Sequence, residues 1–476
     1  MIPWRNTGET AEDTGPVGPV AVLALLLLVG ASPLMRGGNR HVALIVLEGI
    51  ALAVLVALLA GSWRATGARF SIRGALLVLL LTSPAWLAVV YLVPVPVSLW
   101  SALPGRGDYA SALASAGIAA GDWLPLSLVP DVTASSLFAG IPLAAAFLAG
   151  FWMRLPQVQF VLKVFVAIAF VQVGMGLLQM AGGAQSSLYF GGIGGRPFGT
   201  FANPNHFANY LAMALAVYVW LAWTRLTQAR QHVPMFEERG ISLRTRRIAL
   251  WTAGGVLLTI GILMSRSRGA MLAGLPAALC ALAVAVMGGA RSTRAMRTTL
   301  ILTGVAMLAA MSMVGFDFIL SRFDLRTFSG DAGFRTHLAQ TTLEGAWQLW
   351  PIGAGWGTFP SVYPLFQPAS LLGTANQAHQ DFAQLLFEGG LFAVVLMAAF
   401  AWLAIARTVL LVRAAARRKR LRREEMVSAL CGLGLLGFLL HSLVEFNMHI
   451  PANAIMASLL AGVFLRPLEI EETPGD

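Results

Sequence analysis

Residues 385–412 read LLFEGGLFAVVLMAAFAWLAIARTVLLV, and residues 413–423, which follow at once, read RAAARRKRLRR. The first stretch is long and apolar enough to cross a hydrocarbon core about 30 Å thick, which takes about 20 helical residues. The second places Arg413, Arg417, Arg418, Lys419, Arg420, Arg422 and Arg423 just beyond its end. Short loops rich in cations stay in the cytoplasm, so this pair of stretches marks both a membrane helix and its direction.

Comparable apolar runs recur outward from this one. They lie at 17–35, 40–61, 73–93, 135–153, 158–181, 204–224, 247–265, 270–289, 298–314, 426–447 and 453–466. The pattern predicts an all-α polytopic membrane protein of about twelve transmembrane helices. Composition agrees, with 57% hydrophobic and 12% charged residues and a mean hydropathy of +0.73. A soluble chain carries about 25% charged residues. The net charge of +11 is spread between apolar runs rather than gathered on a soluble face, so it predicts no nucleic-acid partner. Cys280 and Cys431 lie inside apolar runs and make no disulfide framework or metal spacing. The first run lacks a small-residue cleavage site and reads as a retained helix.

Two further loops are basic: 225–247, with Arg225, Arg230, Arg239, Arg244, Arg246 and Arg247, and 290–298, with Arg291, Arg294 and Arg297. All three basic loops fall on one side of the twelve-span count, and Arg64, Arg69 and Arg73 agree, whereas Arg36 and Arg40 fall on the other. Both termini are then expected in the cytoplasm, and segments 94–134, 182–203, 315–384 and 448–452 outside. The chain divides into 1–134, the first helices and outer loop; 135–314, the central helices; 315–384, a large periplasmic loop; and 385–476, the last helices. The third is too long to be a mere connector. It reads as a helical cap, with one helix from Asp331 through Phe334, Leu338 and Trp347 to Pro351.

The chemistry-bearing residues gather on the outer side. Gly195-Arg-Pro-Phe-Gly-Thr-Phe-Ala-Asn-Pro-Asn-His206 runs straight into an apolar helix. Asn203 or Asn205 is placed to cap that helix, with Pro204 in its first turn. A helix start of this kind favours anions, and Arg196 lies just before it. The competing reading is a plain capped loop with an arginine among the headgroups. Ser265-Arg-Ser-Arg-Gly269 puts Arg266 and Arg268 in a tight outer turn, against the positive-inside pattern, which favours a functional site over snorkelling. His379 stands at the start of a helix with Phe382, Leu385 and Leu386 on its apolar face. His441 and Glu445, four apart near the end of a late helix, are expected on one face, with Asn447 and His449 beyond. This is not a zinc motif, and Glu445 reads as a buried hydrogen-bonding partner. The glycine-rich Gly353–Gly357 lacks a strand–turn–helix context for a nucleotide.

Four of these stretches, in order across roughly 190–455, resemble the O-antigen ligase and O-antigen polymerase superfamily. Arg196-Pro-Phe-Gly-Thr-Phe-Ala-Asn-Pro-Asn205 resembles its Arg-x-x-Gly-x-Phe-x-Asn-Pro-Asn signature, and Ser267-Arg-Gly-Ala270 its Ser-Arg-Gly-Ala turn. Arg335, Trp347 and Gly353-Ala-Gly-Trp-Gly-Thr-Phe359 resemble the start of its large periplasmic loop. His379-Gln-Asp-Phe-Ala-Gln384 with Glu388 and Gly390 resembles its His-Asn-Asp-Tyr-Leu-Gln element, departing at Gln380, Ala383 and Ala393.

The resemblance implies a membrane glycosyltransferase fold of the GT-C-like kind, capped on the periplasmic face of the bacterial inner membrane. It implies inverting transfer of a glycan from a polyprenyl-pyrophosphate carrier to an acceptor hydroxyl, on lipid A core or on a second glycan, with no cofactor and no metal. Catalysis is expected from His379 as base and from Arg196 and Arg268 on the pyrophosphate. Arg335, Asn203, Asn205, Arg266 and Glu445 complete the expected substrate-binding set. A transporter of an anionic small molecule or lipid-linked glycan is the alternative, but it would place its charges at the bilayer midplane.

Overall fold

The computed structural model describes residues 17–66, 78–79, 82–117, 121–190, 194–228, 243–288, 298, 301–302, 304–305, 325–371 and 373–467. The long helices are α1 (Pro19–Leu34), α2 (His41–Thr66), α3 (Pro130–Trp152), α4 (Leu155–Ala181), α5 (Pro204–Gln228), α6 (Leu243–Met264), α7 (Leu275–Gly288), α8 (Leu325–Gln348), α9 (Asp381–Arg418), α10 (Arg423–His441) and α11 (Pro451–Leu465). Among the described residues eight helices are long and apolar enough to cross a membrane, and α1 and α11 are shorter apolar helices. Of the twelve expected runs, 298–314 lies almost wholly outside the described residues. Run 73–93 lies partly outside them. Its described part holds two single-turn helices, Ser83–Trp86 and Ala88–Tyr91.

Helix α5 is the axis of the bundle. Its apolar window is wholly enclosed, and it packs on α4, α6, α7, α10 and α11. Lipid tails are as apolar as leucine, so membrane helices gain by close backbone approach at small residues. Helices α3 and α11 show this reciprocally. A Cβ on Gly150 would strike the carbonyl oxygen of Leu459, and one on Gly462 would strike that of Phe147.

The two ends of the bundle differ in charge. At one end, Gln157 Nε2 donates to Val17 O (2.7 Å) and Leu421 N–H to Gly288 O (2.7 Å). Arg466 pairs there with Glu424 (3.2 Å) and Arg418 with Glu425, beside the Arg413–Arg423 cluster. At the other end, Arg36 Nη1 donates to Phe190 O (3.3 Å), and Gly37 and Gly38 abut Phe201, Ile450 and Pro451.

A second apolar core covers this other end. It is built from Trp100, Leu128, Leu338, Leu349, Phe359, Tyr363 and Phe387, among others. The cap therefore draws on 94–134 as well as on the large loop. Strands β1 (Pro94–Pro96) and β2 (Trp123–Pro125) pair antiparallel. Arg106, fully buried, donates Nη2 to Leu126 O and to Gly353 O (3.1 Å), and Leu128 N–H donates to Ala354 O (2.8 Å).

Three boundaries differ from the sequence reading. The cap helix begins at Leu325, so Asp331 lies inside it rather than at its start. Helix α9 begins at Asp381, where Gln380 Oε1 accepts Ala383 N–H, and it kinks at Gly390. The apolar run 426–447 ends as a helix at His441. There Ser442 O is taken by the N–H of Asp381 (3.0 Å), a tertiary partner invisible in the local pattern. His441 and Glu445 therefore do not share a helix face.

Gly462→Val should force α3 and α11 apart. We expect a destabilisation of at least about 1–3 kcal/mol, read as a lower unfolding temperature in detergent. Gly174→Val in α4, where a Cβ meets no atom within 4 Å, should unfold at the wild-type temperature.

Candidate active site

The glycine-rich stretch before α5 owes its shape to two glutamines on one face of α4. Gln179 Oε1 accepts the N–H groups of Phe198 (2.9 Å) and Gly199 (3.0 Å), and its amide donates to Gly199 O (2.6 Å) and Leu188 O (3.0 Å). Gln172 holds Thr200 the same way: its Oε1 accepts Thr200 N–H and its amide donates to Thr200 Oγ1, both at 2.8 Å. Both glutamines are buried. Sequence reasoning missed them, although seven-residue spacing of polar residues within an apolar run was the signal available. Gly199 has φ +59, and a Cβ there would strike Gln172 Oε1. Arg196 is carried at the start of this braced loop.

The open question of the α5 cap resolves between the two asparagines. Asn203 Oδ1 accepts Asn205 N–H (2.8 Å), which caps the helix. Asn205 instead reaches across the bundle and donates Nδ2 to Glu445 Oε2. One turn of chain thus serves both local order and a tertiary contact.

Glu445 is the hub of this end. It is fully buried, and three stretches converge on it. Arg335 Nη1 donates to Glu445 Oε2 and to Val444 O, each at 2.9 Å. His379 Nδ1 lies 2.8 Å from Glu445 Oε1. An ionised carboxylate only accepts, so Nδ1 carries the hydrogen and Nε2 of a neutral ring keeps its lone pair. The ring of Phe446 stands edge-on to His379 (4.7 Å) and His206 (4.6 Å). His206 Nδ1 in turn meets Asn447 Oδ1 at 3.0 Å.

The serine-arginine turn joins the same hub from the side. Ser265 Oγ donates to Ile262 O (2.6 Å) and accepts Ser267 N–H (3.2 Å), fixing a turn in which Arg266 takes a left-handed φ of 55°. Gly269 then lies against the His441 ring and Val444. A Cβ there would strike the imidazole, so the turn that carries Arg268 seats on the segment leading to Glu445. Arg266 and Arg268 are both half-buried.

His379 itself is left-handed, with φ 52°. Such a conformation in a non-glycine residue costs about 1–3 kcal/mol and persists only where surroundings hold it. Among the described residues no group of three His, Cys, Asp or Glu side chains has metal-holding geometry.

Residues 253–398 match a family model described as O-antigen ligase. This stretch is an O-antigen ligase domain. The O-antigen ligase domain contains Arg266, Arg268, Arg335 and His379, while Arg196, Asn203, Asn205 and Glu445 lie outside it; Glu445 joins Asn205 to Arg335 and His379. With its membrane-spanning helices, this is a membrane enzyme of surface polysaccharide assembly. No curated protein matches the chain.

Burial alone would push the Glu445 carboxyl up. The hydrogen bond from His379 and the charge of Arg335 outweigh it and hold the group well below the usual carboxylate range. A carboxylate whose folded pKa is depressed stabilises the fold above its unfolded value, ordinarily 4.5, and that stabilisation fades as pH falls further. Glu445→Gln should therefore lower the unfolding temperature by a constant amount between pH 8 and about 5, and the gap should close below about pH 4.5. Thermal unfolding in detergent across that range checks both parts.

Proposed function

We propose that this enzyme transfers a glycan from a polyprenyl-pyrophosphate carrier to an acceptor hydroxyl on the periplasmic face of the inner membrane. The observation that carries the reading is the buried Glu445 carboxylate, which gathers His379, Arg335 and Asn205 at the less basic end of the bundle. The Arg413–Arg423 cluster at the opposite end supports a cytoplasmic place for that end, and with it an outer place for the site.

In this reading the acceptor oxygen attacks the anomeric carbon from the face opposite the carrier. The bond from that carbon to the phosphate oxygen breaks, and the lipid pyrophosphate departs with both bonding electrons. Configuration at the anomeric carbon inverts. The acceptor proton passes to Nε2 of His379, and Glu445 stabilises the imidazolium through Nδ1–H. Arg196 and Arg268 neutralise the pyrophosphate, for which a planar guanidinium offers paired donors to two oxygens. Arg335, tied to Glu445, lines the space between base and leaving group. The charge on the leaving group is met by arginine alone, without a metal or other cofactor.

Transfer by the purified protein tests the chemistry, using a lipid-pyrophosphate glycan as donor and either lipid A core or a second lipid-linked glycan as acceptor. His379→Ala should slow transfer by about 10²–10⁴-fold while donor binding persists. Arg196→Lys and Arg268→Lys should each lose most activity and weaken donor binding, since lysine keeps the charge but not the fork. Near wild-type transfer by all three variants would exclude this site.

The orientation has its own test, in a background carrying Cys280→Ala. Ala369→Cys in the cap should react with an impermeant thiol reagent in cells whose outer membrane alone is permeabilised. Ala416→Cys in the basic last turn of α9 should react only after the inner membrane is opened. The reverse pattern would put the site in the cytoplasm.

A further inference from the structure

His379 and Glu445 sit on different segments, α9 and the turn after α10, and a base is useful only while its carboxylate stays within hydrogen-bond reach. Two side chains outside the reacting space join those segments. Asp381, wholly buried, accepts Met448 N–H through Oδ2 (2.9 Å) and meets His449 Nδ1 through Oδ1 (2.9 Å). Its own N–H donates to Ser442 O. Residue 381 thus grips the Glu445 turn on both flanks of Glu445, at 442 and at 448–449.

His449 is itself fixed by Gln384. The Gln384 amide oxygen accepts Ala378 N–H (3.0 Å), and its nitrogen donates to Glu388 Oε1 (3.2 Å). Those two partners set the amide orientation, so the nitrogen that lies 3.0 Å from His449 Nε2 is a donor. His449 therefore accepts at Nε2 and carries its hydrogen on Nδ1, facing Asp381. Glu388 ends the chain by accepting the N–H groups of Gly357 (2.8 Å) and Phe359 (3.1 Å) from the glycine-rich turn. Residues 381, 384 and 388 share one face of α9 at helical spacing. The left-handed His379 is bracketed by Ala378, tied to Gln384, and by Asp381, tied to the Glu445 turn.

We propose that Asp381 and His449 are positioning residues that hold His379 against Glu445, Asp381 by bridging the two segments and His449 by fixing the Asp381 carboxylate. This rests on the reading of His379 as the base. Neither residue touches substrate, so their loss misplaces the base without removing it, and a misplacement of about 1 Å costs up to about 10²-fold in rate.

The test is a double-mutant cycle on transfer by the purified full-length enzyme, with kcat and donor KM measured separately. Asp381→Asn and His449→Gln should each lower kcat about 10–100-fold with donor KM unchanged. In a His379→Ala background neither should lower the residual rate further, because there is no base left to position. If Asp381→Asn fails to fold, the His449→Gln cycle decides. Equal losses with and without His379, or a wild-type kcat in the folded variants, would overturn the proposal. A wild-type rate in His379→Ala alone would instead overturn the reading of His379 as base.

Discussion

A carboxylate withdrawn from water has to be met by cations and hydrogen bonds or give up its charge. Glu445 meets that demand with Arg335 from the cap helix, His379 from the start of α9 and Asn205 from the start of α5. Three segments distant in sequence are held together by one acidic group. In the proposed reaction the groups that satisfy it are also those the chemistry uses, and the contact through Nδ1 leaves His379 Nε2 its lone pair for an acceptor hydroxyl. Removing the carboxylate would leave cations about a quarter exposed, a smaller penalty than the roughly 3–5 kcal/mol of a fully buried pair.

The scaffold beneath is built on a different principle. Glycines bring α3 and α11 to backbone contact, and buried glutamines on α4 hold the loop that carries Arg196. Inside an apolar bundle each unmade hydrogen bond is expensive. The irregular loop therefore lies where Gln172 and Gln179 supply the donors and acceptors its backbone lacks. Above it, the cap covers the site through a core of its own, with Arg106 fastening the early outer segment to the glycine-rich turn that receives Glu388.

Much of this was written locally. Hydropathy marked most of the helices, because a membrane helix satisfies its own backbone and shows its length as an apolar run. Arginine clusters marked one end, and the motifs around Arg196, Arg268, Arg335 and His379 pointed to one chemistry. What the sequence did not show were the partners. Glu445 and His441 seemed to share a helix face, but the helix stops at His441 because Asp381 takes the carbonyl of Ser442. Asp331 looked like a helix start, yet α8 begins at Leu325.

The sequence by itself determined the membrane class and the residue types of the candidate site, since each depends on neighbours within a helix or a short loop. Only the tertiary structure decided that Asn203 caps α5 while Asn205 crosses to Glu445, that His379 is left-handed, and that Asp381, His449, Gln384 and Glu388 form one chain behind it. Those contacts join residues up to 240 positions apart. A hydrogen bond depends on where two groups meet in space, and local sequence carries no record of that.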